Sequence, residues 1–384
     1  MGYFVVLLLV LSSIFFTYIF NSFFKLKIND TKYPTIEGIR GYLAYFVFLH
    51  HLYIWYFYLH NGSWEEPQSN IFNHFGKTSV AFFFMITSFL FTNKLLDQKE
   101  IDWKNFYKKR FLRLFPLYCF SIFTLIFIVM YLSHFNLNIS FGRFIDQSLH
   151  WLAFTYIGTS NINNINNTFI IIAGVAWSLT YEILFYAFIP FLGLLFRKKV
   201  NFITLLLCSI VIILFIVKTE TIYTILFWNF FYGIVASLLH KFYKQKIDLK
   251  SNTFFAIAIL LMIFSVYSFH SSENFISITL QAIVFIIIIY GNNFWGVLVN
   301  KQSQIFGQIS YSIYLLHGIV LFIFNTFVLD KSFLISLDFY QYLSLGLLYT
   351  FFIILLSFVT HKYVELPFMK SKLESERVPK AEKY

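Results

Sequence analysis

Long apolar segments alternate with short polar ones along almost the whole chain. Each apolar segment is long enough to cross a lipid bilayer as a tilted or straight helix, which takes about 20 residues. The pattern therefore predicts an all-α fold, a polytopic transmembrane helical bundle with eleven crossings. The predicted segments are residues 2–24, 38–60, 76–96, 111–133, 168–196, 200–218, 221–240, 252–269, 275–291, 305–328 and 339–361.

Basic residues are divided unequally between the two sides of the predicted membrane. If the eleven segments alternate in direction, 25 of the 29 Lys and Arg residues lie on one side. Cytoplasmic loops carry an excess of Lys and Arg. We therefore expect an integral plasma (inner) membrane protein with its N-terminus outside and its C-terminus in the cytoplasm. An error of one helix would remove this asymmetry, so the asymmetry supports the number of crossings.

Composition agrees with this class and excludes others. Of the 384 residues, 59% are hydrophobic and 12% are charged, and Phe occurs 54 times, more apolar surface than a soluble core absorbs. The formal net charge of +11 does not indicate a nucleic-acid partner, because the basic residues form short runs between apolar segments. Cys119 and Cys208 both lie inside apolar runs, so we expect neither a disulfide framework nor a metal site.

The chain divides into three predicted parts. Residues 1–34 form an extra N-terminal transmembrane helix with a cytoplasmic linker, residues 35–370 the main transmembrane domain, and residues 371–384 a short cytoplasmic tail. The longest outside loop, residues 132–167, contains an amphipathic piece near residues 141–156. That piece is either a lid or binding element, or a helix that lies on the outer leaflet.

The second apolar segment contains ionisable residues, which at membrane depth usually face the bundle interior and mark a functional site or path. Arg40 and His51 are eleven residues apart, which corresponds to about 16 Å of helix rise and roughly 20° from facing the same way. The neighbouring His50 lies about 80° from that line on the other side. Arg40 and His51 are therefore predicted to share one helix face.

Two other apolar segments carry an ionisable residue near the middle, Glu182 in one and His317 in the other. Ser178 precedes Glu182 by four residues and Tyr314 precedes His317 by three, so each pair shares a helix face. A histidine near neutral pKa beside a carboxylate can act as a general base. Each of these residues alone could equally form a hydrogen bond across a helix interface.

A basic loop ends in FYKKRFLRLFP, with Arg110 and Arg113 three residues apart at the predicted start of a helix. Positive charge in a cytoplasmic loop is ordinary and serves to set topology. The alternative is a phosphate clamp, because arginines on one face near a helix N-terminus can hold phosphates by bidentate hydrogen bonds and the helix dipole.

Five stretches together resemble the integral membrane acyltransferase 3 family, in that family's order and over residues 35–370. They are EGIRG with the step from Arg40 to His51, GKTSVAFFFMITSFLFT, FYKKRFLRLFPLY, WSLTYEILFY, and ISYSIYLLHGIV with the closing KYVELPF. The chain departs from the family at Thr87, where a glycine is expected, and at Tyr181, where an acidic or small residue is common.

The resemblance implies a ten-helix acyltransferase core, preceded in this chain by one extra helix. It implies transfer of an acyl group, commonly acetyl, from cytoplasmic acyl-CoA to a hydroxyl, often on a cell-envelope or exported carbohydrate. The donor substrate would then be acyl-CoA, most simply acetyl-CoA, without a metal. The implied partners are membrane lipid and the hydroxyl acceptor, not nucleic acid.

The resemblance also implies roles for individual residues. Arg40 and His51 are implied to be the catalytic pair, with Arg110 and Arg113 on the donor side. Glu182, His317 and Glu365 match characteristic family positions whose roles are less defined. We place Glu182 with the catalytic residues. We place His317 and Glu365, together with Ser178 and Tyr314, among residues that contact substrate or are structural.

The physical pattern and the resemblance agree at His51. A base near the middle of the membrane would deprotonate the acceptor hydroxyl for attack on the thioester, or would form a covalent acyl-histidine. Arg40 would orient His51 or the donor, because its pKa is too high for an acid. A secondary transporter is the alternative class. Transporters usually show internal repeats or paired broken helices, and the sequence has no convincing self-similarity.

The predicted topology can be tested by cysteine labelling in intact cells. We expect single cysteines introduced within residues 62–74 to react with an impermeant reagent from outside. Cysteines within residues 242–249 should react only after permeabilisation. The reverse pattern would contradict both the topology and the assignment of the basic loops to the donor side.

Overall fold

The computed structural model describes residues 2–28, 30–155, 158, 160–196, 198–218 and 224–370. Within these ranges the secondary structure is helical, with one isolated β-bridge between Ile162 and Ile165. The all-α prediction is therefore confirmed. The predicted tail, residues 371–384, lies outside the described residues.

The helices are numbered in chain order. They are α1 (Gly2–Phe24), α2 (Pro34–Asn61), α3 (Asn70–Asp97), α4 (Trp103–Leu132), α5 (Phe141–Leu152), α6 (Ala176–Leu195), α7 (Phe202–Lys218), α8 (Ile225–Tyr243), α9 (Asn252–Ser268), α10 (Phe275–Ile289), α11 (Lys301–Gln308), α12 (Ser310–Ile323), α13 (Lys331–Ser336), α14 (Phe339–Thr360) and α15 (Leu366–Lys370).

All eleven predicted segments overlap a helix. Seven helices of the described ranges are long and apolar enough to cross a membrane, and α9, α10 and the first part of α7 are shorter apolar helices. The remaining predicted crossing is α2, which is 28 residues long and whose mean hydropathy is lowered by several Tyr and His residues. The chain is therefore a multi-pass membrane protein, as predicted.

Helix α2 is the central element and has clear signals at both ends. It begins at Pro34, whose fixed φ suits the first turn and whose missing N–H is not needed there. It ends at Asn61 and is capped by Gly62, which has φ of 74° and donates its backbone N–H to the Tyr58 carbonyl oxygen at 2.9 Å. After the short loop 62–69, α3 runs back antiparallel beside α2. The start of α2 and the end of α3 therefore share one end of the bundle.

The predicted segment 168–196 is not one continuous helix. Residues Thr168–Ile172 form a 3₁₀ turn, and α6 begins only at Ala176. Between them Ala173 and Gly174 have φ of 52° and 67°, a left-handed conformation that interrupts the helical hydrogen-bond ladder. Ser178 and Glu182 consequently lie in the first two turns of α6 rather than near the middle of a long helix.

The prediction that Arg110 and Arg113 lie at the start of a helix is also wrong. Asp102 caps α4 by accepting a hydrogen bond from the backbone N–H of Asn105 at 3.0 Å, so α4 begins at Trp103. Both arginines therefore lie about two turns or more inside α4. The helix dipole acts mainly within the first turn, so it contributes little at these arginines.

The first helix is packed into the bundle along one face. Leu9, Ser13 and Thr17 are fully buried, and the Tyr45 hydroxyl of α2 lies 2.9 Å from the Leu9 carbonyl oxygen. The other face of α1 is exposed and apolar, with Phe4, Leu7, Leu11, Phe15 and Tyr18 as examples. Such a face suits contact with lipid.

Helix α5 is amphipathic, as predicted, and one of its apolar stripes faces away from the protein. Phe141, Ile145 and Leu149 are 67%, 41% and 55% exposed, whereas Trp151 is 1% exposed. None of these residues lines either of the cavities described below. Of the two alternatives for this piece, this arrangement favours a helix that lies on the membrane surface over a lid.

A glycine allows close contact between α12 and the 3₁₀ turn. A Cβ atom at Gly318 would lie 2.3 Å from the carbonyl carbon of Ile172 and 2.6 Å from the backbone nitrogen of Ala173. Both of those atoms belong to the backbone and can move only with the turn itself. Gly318 therefore fixes the position of the segment that leads into α6.

We expect Gly318→Ala to lower the free energy of unfolding in detergent by about 1–3 kcal/mol, because overpacking displaces the turn from α12. A lower unfolding temperature than that of the wild type would show this loss. Gly142→Ala is the matched control, since a Cβ there meets nothing within 4 Å and the residue lies in α5. The control should unfold at the wild-type temperature or slightly above it. Equal unfolding temperatures for Gly318→Ala and wild type would show that this contact is not rigid.

Candidate active site

Two cavities lie toward opposite ends of the bundle. The first, of about 240 Å³, is lined by Arg40 near the start of α2 and by Leu90 and Lys94 near the end of α3. The second, of about 310 Å³, is lined by His51 farther along α2 and by Gly76 near the start of α3. Because α2 and α3 are antiparallel, these positions place the cavities at opposite ends.

The first cavity is cationic. Its lining includes four positively charged side chains and the carboxylate of Glu182, surrounded by apolar residues of α3, α4 and α6. The four cations are Arg40, Lys94, Arg110 and Arg113. Arg40, Arg110 and Arg113 are close enough to repel one another. This excess of positive charge in an apolar surrounding favours an anionic ligand.

Two of the arginines are held by neighbours in different ways. Arg40 Nη1 lies 3.2 Å from Glu37 Oε2, one turn earlier on α2. The Arg110 guanidinium lies over the Phe91 ring, 4.8 Å from its centroid. The Arg110 Nε atom is buried and has no hydrogen-bond partner among the described residues. At least one strong donor is therefore left for a ligand.

Glu182 belongs to this first cavity. It accepts a hydrogen bond from the Tyr186 hydroxyl, four residues later on α6, and lies 3.5 Å from Thr87 Oγ1. Its charge also acts on Arg40 and Arg110. The structure therefore makes Glu182 a counter-charge to the arginines and does not place it beside His51.

His51, which lines the second cavity, is hydrogen-bonded to His317 behind it. His317 Nδ1 lies 3.1 Å from the Ile313 carbonyl oxygen, and His317 Nε2 lies 3.0 Å from His51 Nδ1. A carbonyl oxygen only accepts, so neutral His317 carries its proton on Nδ1 and accepts at Nε2. His51 then donates from Nδ1, which is also 3.0 Å from the Val47 carbonyl oxygen. His51 Nε2 is left without a proton, as a general base requires.

His50 is oriented differently from His51, although both line the second cavity. His50 Nδ1 lies 2.8 Å from the Phe72 carbonyl oxygen of α3. Its ring also packs against Gly76, where an added Cβ would lie 2.6 Å from the imidazole. These contacts tie His50 to α3, whereas His51 is tied to α12.

The second cavity has an aromatic and acidic lining. The ring of Trp64 stacks on His51 at a centroid distance of 6.2 Å, and Trp177 and Phe169 line the same space. Lys77 lies 2.8 Å from Glu66 and 2.9 Å from Glu273, joining the loop 62–69 to the segment before α10. These ion pairs hold the loop that carries Trp64 over the cavity.

The predicted site residues are therefore brought together in two groups. Arg40, Arg110, Arg113, Glu182 and Ser178 line the first cavity, and His51 lines the second with His317 behind it. Tyr314 lines both cavities, and its hydroxyl lies 2.6 Å from Ser178 Oγ. A histidine beside a carboxylate was one arrangement that the sequence allowed, but in the described part of the chain the side-chain partner of His51 is His317. Arg40, which could orient either His51 or the donor, lies in the first cavity with Arg110 and Arg113.

Glu365 lies in neither cavity. It is buried in a π-helical turn after α14, where it accepts a hydrogen bond from Ser312 Oγ of α12. Its Oε2 atom lies 3.2 Å from His361 Nδ1. Among the roles left open for Glu365, these contacts favour the structural one, because they join α14 to α12.

Several lining residues had not been identified from the sequence. Tyr186 follows Glu182 by four residues, and this spacing would have indicated the contact. Lys94 lies next to a basic loop, where positive charge is ordinary and does not indicate a binding site. Trp64, Glu66 and Lys77 come from a loop and a helix start, and no local pattern connects them to His51.

Comparison with known proteins identifies the family. The family described as acyltransferase domain matches residues 33–362, which is most of the chain and includes every candidate residue except Glu365. This match supports the acyltransferase interpretation over the transporter alternative. No curated protein matches the chain, and no solved structure matches it. The chain belongs to the acyltransferase 3 family and is a membrane acyltransferase.

Proposed function

We propose that the protein transfers an acyl group, most simply acetyl, from cytoplasmic acyl-CoA to a hydroxyl of a cell-envelope or exported carbohydrate. The observation that carries this proposal is the placement of a cationic cavity and a histidine base toward opposite ends of one bundle. Such an arrangement suits a donor that enters from one side of the membrane and an acceptor that enters from the other. The proposed membrane is the plasma membrane, with the first cavity on the cytoplasmic side.

The first cavity is proposed to hold the donor. CoA carries phosphates, and guanidinium groups bind phosphate by paired, charge-assisted hydrogen bonds. Arg110 and Arg113 have no ion pair with a carboxylate among the described residues, so they are the proposed phosphate ligands. Arg40 and Glu182 would position this cluster. The apolar lining from Phe83, Phe84 and neighbouring residues suits the pantetheine arm that leads to the thioester.

The second cavity is proposed to hold the acceptor. Trp64, Trp177 and Phe169 provide flat apolar faces on which a sugar ring can stack. Glu65 and Glu66 provide carboxylate oxygens, which accept hydrogen bonds from hydroxyl groups. This combination favours a polyhydroxylated acceptor over a purely apolar one.

The proposed reaction uses His51 as general base. His51 Nε2 takes the proton of the acceptor hydroxyl while the hydroxyl oxygen attacks the thioester carbonyl carbon. The new C–O bond forms, the C–S bond breaks, and the proton passes from His51 to the departing CoA thiolate. His317 holds His51 in the required tautomer through the 3.0 Å hydrogen bond, in the way that the third member of a catalytic triad orients its histidine.

The donor assignment predicts the effect of two arginine substitutions. Arg110→Ala and Arg113→Ala should each weaken binding of CoA by about 1.5–3 kcal/mol, the strength of a charge-assisted hydrogen bond. Isothermal titration of the purified protein with CoA measures this. Lys108→Ala is the control, because Lys108 is on the same helix but exposed and outside the cavity lining. If both variants bind CoA as tightly as the wild type, Arg110 and Arg113 serve only to set the membrane topology.

The base assignment predicts opposite outcomes for two adjacent histidines. With radiolabelled acetyl-CoA and extracted envelope glycans, His51→Ala should reduce label transfer by about 10²–10⁴-fold while CoA binding stays near normal. His50→Ala should keep most activity, because His50 is tied to Phe72 rather than to the His51–His317 pair. An inactive His50→Ala beside an active His51→Ala would overturn the assignment. Absence of labelled glycan with the wild type would count against the donor or the acceptor class.

A further inference from the structure

We propose that Tyr314, held by Ser178, is the gate between the two cavities and limits the size of the acyl group that passes. This inference rests on the proposed function for its acyl substrate. The gate itself can be tested without any transfer reaction. The family match does not assign this role. From the sequence, Tyr314 and Ser178 were expected only to contact substrate or to be structural.

Tyr314 lies at the boundary between the cavities. Tyr314 of α12 and Val80 of α3 line both cavities and are 8% and 7% exposed. The Tyr314 hydroxyl lies 2.6 Å from Ser178 Oγ and 3.3 Å from the Val175 carbonyl oxygen. Ser178 lines the first cavity and Val175 lines the second. The phenol therefore lies between the two cavities, and its hydroxyl contacts one residue from the lining of each.

The hydrogen bond between the Tyr314 hydroxyl and Ser178 Oγ is called the latch below. Ser178 Oγ donates to the Val175 carbonyl oxygen at 3.1 Å, so it is free to accept from the Tyr314 hydroxyl. The Tyr314 ring also packs edge-on against the rings of Phe83 and His317, at centroid distances of 5.9 Å and 6.3 Å. The hydrogen bond to Ser178, together with the longer contact to Val175, thus fixes a ring that can otherwise turn about its side-chain bonds.

The position of the ring has a consequence for transfer. A thioester in the first cavity is on one side of Tyr314, and the base His51 is on the other. The carbonyl carbon can reach an acceptor hydroxyl only when the phenol moves aside from Val80. A passage opened by one side chain is narrow, so a short acyl group passes more readily than a longer one.

The direct test measures access from each side of the membrane. In full-length protein with Cys119 and Cys208 replaced by Ser, Thr87→Cys places a thiol in the first cavity, whose lining includes Thr87. In sealed vesicles of known orientation, a membrane-impermeant thiosulfonate should label this cysteine from one side only. Adding Tyr314→Ala should allow labelling from both sides. Adding Leu179→Ala, which enlarges the first cavity but not the boundary, should not.

The latch and the size limit have their own readouts. Tyr314→Phe and Ser178→Ala keep most of the packing, and each should give labelling from the second side at a rate between wild type and Tyr314→Ala. The ratio of kcat/KM for butyryl-CoA to that for acetyl-CoA should rise about tenfold or more in Tyr314→Ala, as expected when a pocket loses its steric limit.

Different outcomes overturn different claims. One-sided labelling of the Tyr314→Ala protein would refute the gate, whatever the enzyme does. Second-side labelling of Tyr314→Phe and Ser178→Ala at the wild-type rate would refute the latch. An unchanged kcat/KM ratio would refute the size limit. Two-sided labelling of Tyr314→Ala together with failure of wild type to use any acyl-CoA would support the gate and refute the proposed donor.

Discussion

A neutral imidazole carries one proton on two nitrogens, and this constraint organises the second cavity. The Ile313 carbonyl oxygen accepts a hydrogen bond from His317 Nδ1–H, and His317 Nε2 then accepts one from His51 Nδ1–H. The Ile313 carbonyl oxygen therefore determines, through His317, that the free lone pair of His51 is on Nε2. The arrangement requires α2 and α12 to stay at a fixed distance. Both helices are largely buried, and α12 packs closely against the 3₁₀ turn at Gly318. These contacts provide the rigidity.

Charge imposes a second constraint on the bundle. Cations inside an apolar bundle are costly unless they are paired or face a polar cavity. Here Glu37 pairs with Arg40 and Glu182 faces the other arginines, while the phosphates of a donor would complete the balance. Placing this cluster at the opposite end from His51 lets one site favour an anion and the other keep a neutral base.

The sequence predicted much of the framework because the signals are local. Apolar length gave the crossing segments, and helical spacing correctly put Arg40 and His51 on the inward side of α2, since both line cavities. It also grouped Ser178 with Glu182 in one cavity lining. These predictions need only a 3.6-residue period and the thickness of a bilayer.

The contacts between distant segments were beyond such reasoning. His51 meets His317 across 266 residues, and Ser178 meets Tyr314 across 136, so no local pattern encodes either contact. The break at Ala173 and Gly174 was missed because the apolar run continues through it. The early start of α4 was missed because its first turns are polar, although Asp102 is a good N-cap.

Transfer from a donor on one side of the membrane to an acceptor on the other can be tested in sealed vesicles. The purified protein is reconstituted into vesicles that enclose an envelope polysaccharide too large to cross the membrane, and radiolabelled acetyl-CoA is added only outside. We predict label on the enclosed polysaccharide, with CoA remaining outside, in vesicles whose first cavity faces outward. Label that appears only when donor and polysaccharide share a compartment would contradict transfer between the two cavities.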